Sequence, residues 1–124
     1  MKTQMSIDSH QVAERSRLLS HQLYAERLRD CPAFVEAARD QIRESVDRGV
    51  ATVGECLWDY VLQQPLEDIV THMVRDDEGG RLLRSNSPFS RMIGVHDPEV
   101  RSRLWRQAKI DLSARRTSSA PSAA

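Results

Sequence analysis

The side chains in this sequence best able to bind a metal or attack a substrate are four histidines and two cysteines. Cys31, Cys56, His72 and His96 are separated by 25, 16 and 24 residues. A zinc site needs close pairs that set two ligands on one turn or knuckle, and none of these spacings supplies one. There is no C-x-x-C for a redox dithiol. A Cys–His nucleophile needs an exposed thiol acidified by its neighbours. Cys56 falls instead on an apolar stripe with acids nearby, so both cysteines read as buried thiols of a reducing compartment. Asp76-Asp77-Glu78-Gly79-Gly80 sets acids beside glycines, but an EF-hand loop requires a glutamate at its twelfth position. Counted from Asp76 that position is Ser87, so the run reads as a solvated helix end and its carboxylates as unpaired for acid–base work. His10 and His21 read as surface residues. The phosphate-cradling, dinucleotide, nucleophile-elbow and H-E-x-x-H signatures are all absent. No catalytic residue, no metal and no cofactor is expected.

Charge chemistry is more informative. Totals balance at 18 basic against 18 acidic residues, but the halves differ. Residues 31–78 carry 4 arginines against 11 acids, a net of −7, whereas residues 79–124 carry 9 basic residues against 3 acids, a net of +6. Glu44 to Gln63, with Gly49 between two helical stretches, has the outline of a helix-turn-helix. Its second helix, Thr52 to Tyr60, holds two acids and no base, the wrong sign for a polyanion. The final helix is the better binding element. Val100, Leu104, Trp105, Ala108 and Leu112 form its apolar arc, Arg101 must snorkel at that arc, and Arg103, Arg106 and Lys109 lie opposite, followed by Arg115 and Arg116. These cations either meet the chain's own acidic helices, or an acidic protein, or nucleic acid.

The elements that must carry these residues are all helices. Asp8 with Gln11 opens a first helix over 9–30 through a capping box, and Pro32 closes it. Its stripe, Val12, Leu19 and Leu23 with Leu18, Ala25 and Leu28 alongside, is imperfect and places it at the edge of the fold. Val35, Ala38, Ile42 and Val46 define a second helix that stops at Gly49. Thr52 and Glu55 form another capping box, followed by a stripe of Val53, Cys56, Leu57, Tyr60 and Val61. After Pro65, the residues Leu66, Ile69, Val70, Met73 and Val74 keep a faultless 3–4 spacing that ends at the acid–glycine run. Ser87-Pro88 starts a short helix with Phe89, Met92 and Ile93 on one face, a face for the core or for a partner, and Gly94 ends it. Asp97-Pro98-Glu99 starts the last helix, which runs to Leu112. Five or six helices and no strand are expected, with Ile42, Leu57, Ile69, Val70 and Met73 buried. Residues 1–8 read as a flexible N-terminus, 9–112 as one helical domain and 113–124 as a disordered tail.

At 124 residues the chain is one domain large enough for its own core. With 40% hydrophobic residues there is no apolar run of membrane-spanning length and no secretory core at Met1 to Ser6, so a cytoplasmic protein is expected. Lys2 and Lys109 are the only lysines, an arginine bias typical of a GC-rich bacterial genome.

Trp58, then Ser87, Pro88 and Phe89 within the Arg84-to-Phe89 stretch, give residues 45–98 a familiar look. The segment resembles small bacterial proteins in which a Trp-containing helix leads to an Arg-x-Ser-Pro-Phe-like stretch and a final helix. Met92 to His96 departs from their continuation. The resemblance implies association with toxin–antitoxin pairs and mobile elements, on the antitoxin or accessory side, and a binding partner in place of catalysis. The expected function is therefore a non-enzymatic, all-α factor that binds another protein, such as an adjacent-gene toxin or an element-encoded factor. The candidate contacts are Phe89, Met92, Ile93, Arg103, Arg106, Lys109, Arg115 and Arg116. The alternative is a small nucleic-acid-binding regulator using the basic C-terminal helix.

Overall fold

The helix boundaries follow from local chemistry at the chain's caps and prolines. The computed structural model describes residues 8–118, with side chains as far as Arg115, and contains seven helices and no strand among them. Helix α1 (Ser9–Asp30) opens on the Asp8–Gln11 capping box, and α3 (Val53–Val61) on that of Thr52 and Glu55. Helix α2 (Ala33–Asp47) follows Pro32 and ends before Gly49, whose φ of 72° is the left-handed turn glycine allows. Helix α4 (Leu66–Met73) follows Pro65. Helices α5 (Glu78–Ser85), α6 (Phe89–Met92) and α7 (Pro98–Ser118) complete the bundle. The expected all-α class is what the structure has.

Five expectations need correction. Helix α5 was not expected, because Gly79-Gly80 reads as a stop. Both glycines lie in its first turn, where Asp77 accepts a 2.8 Å hydrogen bond from the Gly80 N–H. Gly80 is also required there, since a Cβ would overlap the Arg75 carbonyl oxygen. Second, α1 is central, packing against α2, α4, α5 and α7. It is buried on two sides, so no single stripe marks it. Leu18, His21, Tyr24, Ala25 and Leu28 share one side, while Val12 falls on the side of Arg15, which reaches Asp111 of α7 at 3.0 Å. His21, read as a surface residue, is therefore buried.

Third, α3 is rotated from its expected setting. Gly54, Trp58, Val61 and the following Leu62 face inward, Leu57 is only half-buried, and Val53, Cys56 and Tyr60 face out. Fourth, neither cysteine is buried; both thiols are exposed. Fifth, α7 continues through Ser113 to Ser118, where a tail was expected, with Arg115 on Asp76 at 3.2 Å. Residues 1–7 and 119–124, expected to be flexible, lie outside the described residues.

The core gathers Tyr24, Leu28, Ile42, Trp58, Leu62, Ile69, Met73, Leu83 and Phe89. Trp58 and Phe89 meet edge to face, with ring centroids 5.5 Å apart at 81°. Ile42, Ile69, Val70 and Met73 are buried as expected.

Phe89 is fully buried, so Phe89→Ala is expected to lower unfolding stability by about 3–5 kcal/mol. Val53→Ala, at an exposed position, should stay within about 0.5 kcal/mol of the unsubstituted protein. Urea titrations of the two variants followed by circular dichroism check the contrast.

Candidate interaction surface

The residues that could do chemistry do not converge. No group of three or more His, Cys, Asp or Glu side chains among the described residues is placed to hold a metal ion. His72 Nε2 lies 3.1 Å from the Gln64 amide oxygen, and His21 Nδ1 lies 2.8 Å from the Arg17 carbonyl. A carbonyl only accepts, so His21 carries its proton on Nδ1 and leaves Nε2 as a bare, buried acceptor. Burial, and then the nearby Arg84 and Arg17 charges, pull its pKa down to about 4, against the favourable bond to Arg17. Arg84 is buried too. Its Nη1 donates to the carbonyls of Met73 (3.1 Å) and Arg75 (2.6 Å), closing the C-terminal end of α4. Desolvation lowers its pKa, while Asp76 and Glu14 pull the other way. In this polar seam between α1 and α5 the Arg84 Nη1 and His21 Nδ1 donors end on backbone carbonyls, while Arg84 Nε is buried without a hydrogen-bond partner among the described residues.

Two surfaces remain. The first is the outer face of α2 and α3. Val53 is 77% exposed, Tyr60 68% and Val50, in the α2–α3 turn, 61%, with the Cys56 thiol also exposed. At 100° per residue Val53, Cys56 and Tyr60 occupy an arc of about 60°, a narrow apolar stripe open to solvent. Beside it Arg43 bridges Asp59 (3.0 Å) and Asp47 (3.9 Å), tying the two helices edge to edge. Glu36, Asp40, Glu44 and Asp47 run along the solvent side of α2.

The second surface is the outer side of α7. Ala108 is buried and Leu104 half-buried against the bundle, whereas Arg103, Arg106 and Lys109 are exposed with no ion-pair partner among the described residues. Ile110 is 59% exposed and Trp105 38%. Trp105 was expected on the covered arc but sits at its margin, and Arg101, expected to snorkel there, is exposed. Pro98, Arg101, Ser102, Trp105 and Arg106 line a shallow open depression. Among the described cations of α7, the expectation that they meet the chain's own acids holds for Arg115, because α7 packs chiefly on α1.

Of the other sequence candidates, Phe89 is in the core, and Met92 and Ile93 are half-buried against it. The Arg116 side chain lies outside the described residues. Sequence reading missed the exposure of Val50, Val53 and Tyr60. The signal was present, since α3 carries two apolar stripes, Gly54/Trp58/Val61 and Val53/Cys56/Tyr60, and can bury only one.

No protein-family profile, no curated protein and no solved structure matches this chain.

The buried neutral His21 makes stability depend on pH. Its folded pKa of about 4 lies below its ordinary 6.5, so the unfolded chain binds the extra proton as pH falls below 6.5. Stability is expected to drop by about 3 kcal/mol between pH 6.5 and 4 from this group alone. Chemical denaturation at half-unit pH steps checks this, and His21→Gln should flatten the slope between pH 6.5 and 5.

Proposed function

We propose that this chain is a non-enzymatic interaction factor, and that the α2–α3 face is where a partner protein docks. The observation that supports this is the open stripe of Val53, Cys56 and Tyr60 with Val50 beside it. Single exposed apolar residues are ordinary, but several on one helix face rimmed by charge are a mark of protein contact surfaces. An exposed tyrosine in such a patch, here Tyr60, is also a favoured hot-spot residue. The acidic rim adds a preference for a partner carrying cations. An adjacent-gene product, as in the toxin–antitoxin pairs that the sequence resembles, is the first partner to test.

The matching experiment is affinity capture from the source cells, using the chain and its Tyr60→Lys variant as baits, quantified by mass spectrometry. Tyr60 lies in the last turn of α3, where a cation suits the helix dipole, so the variant keeps the fold. Proteins retained by the chain should fall at least about tenfold with the variant, the loss expected on removing a hot-spot residue. Equal retention by both baits would overturn the reading.

A second reading rests on the unpaired cations of α7 beside the half-exposed Trp105, which together suit a nucleic-acid backbone and a stacked base. On this reading, fluorescence-anisotropy titrations should show duplex affinity falling with salt at a log–log slope of about −0.9 per phosphate contact. Arg103→Glu combined with Arg106→Glu should abolish the binding. No binding near physiological salt would remove this reading and leave the first untouched.

A further inference from the structure

We infer that the partner seated on the α2–α3 face is the α7 face of a second copy of this chain, joined head to tail. This rests on the docking reading of α2–α3 and names its occupant.

The two faces are complementary in charge and in apolar content. On α2, Glu36, Asp40, Glu44 and Asp47 recur at helical spacing along the solvent side. Glu36 is engaged by Arg39 and Asp47 by Arg43, but Asp40 and Glu44 have no ion-pair partner among the described residues. On α7, Arg103, Arg106, Lys109 and Ile110 share an arc of about 120°, and the three cations have no ion-pair partner among the described residues. Ile110, within that arc and 59% exposed, supplies apolar contact for Val53 and Tyr60. A single copy cannot satisfy itself, because the inner face of α7 is held on α1 by Ala108 and by Arg15 on Asp111. Like-on-like pairing is disfavoured, since it sets an acidic stripe on an acidic stripe or a basic one on a basic one. The chain's net charge is zero, so no overall repulsion opposes approach of a second copy. Because the two faces differ, each contact leaves one free face of each kind, and assembly continues as a ring or an open chain.

Sedimentation velocity of the full chain, at protein concentrations up to about 1 mM and in low and high salt, reads this directly. Concentration-dependent species larger than a monomer are expected, with the dissociation constant rising at least about tenfold from low to high salt. Tyr60→Lys alone and Arg103→Glu/Arg106→Glu alone should each be monomeric, with thermal midpoints showing both folded. Mixed in equal amounts they should form a dimer and nothing larger, because one retains the α7 face and the other the α2–α3 face. The inference is overturned by a chain that stays monomeric, by association insensitive to salt, or by variants that do not complement on mixing. If the chain is monomeric yet Tyr60→Lys still loses a captured protein, the docking face stands and its occupant is a different molecule. If Tyr60→Lys changes neither readout, both readings fail.

Discussion

The indole of Trp58 is the constraint on which the rest of the structure depends. Its Nε1–H donates a 2.7 Å hydrogen bond to the Leu83 carbonyl in α5, and its ring packs on Phe89 of α6. The three helices joined at this point have nine, eight and four residues. None is long enough to hold itself together in water, so each exists because it is packed. Buried Trp needs a hydrogen-bond acceptor, and α5 supplies a carbonyl from its last turn, where intrahelical donors run out. One residue thereby fills the core, satisfies a helix end and sets the direction of α3. Gly54, one turn earlier, lets α3 approach α5 so closely that a Cβ would overlap the Asn86 side chain. The Thr52 hydroxyl then donates to Asn86 Oδ1 at 2.9 Å. With Gly54, Trp58 and Val61 turned inward, Val53, Cys56 and Tyr60 have nowhere to point but outward. The open apolar stripe is a consequence of how Trp58 is anchored.

The starts of α1, α3 and α7 were legible in the sequence because capping is local chemistry. Asp8, Thr52 and Asp97 each accept a backbone N–H two or three residues on, and Pro32, Pro65, Pro88 and Pro98 stand where helices begin. The α4 face was legible because only one stripe there is apolar. What could not be read were choices made by long-range packing. Helix α3 offers two stripes of similar hydrophobicity, and the winner is decided by Leu83 and Phe89, 25 and 31 residues further on. Helix α1 lost its stripe pattern because neighbours cover two sides of it. The glycine pair of α5 concealed a helix since a residue that weakens helices in isolation is tolerated where a neighbouring backbone leaves no room for a side chain. The exposed apolar stripe of α3 shared this fate, for it is what the core did not take.

Charge segregation along the chain has a related origin. Some basic residues of the C-terminal third are used internally, with Arg84 buried on the Met73 and Arg75 carbonyls and Arg81 and Arg115 both within 4 Å of Asp76. Arg15 also reaches Asp76, so this carboxylate collects cations from α1, α5 and α7. These pairs are partly exposed and individually weak, so they orient α7 more than they stabilise it. Apolar burial of Ala108, with Leu104 half-covered beside it, supplies the attachment.

The same geometry decides which cations stay available. Asp111 and Arg115 lie on the side of α7 that meets α1 and the α4–α5 turn, about 140° and 180° around the helix from Arg106. A helix fastened by residues on one side must present the other, and that side carries Arg103, Arg106 and Lys109. Turning α7 to pair these three with α2 would require breaking the Arg15–Asp111 contact and exposing Ala108. The acidic stripe of α2 and the basic stripe of α7 are thus kept apart within one copy by the packing that folds it. Asp40 and Glu44 on one stripe, and the three cations on the other, are left to solvent ions or to another molecule.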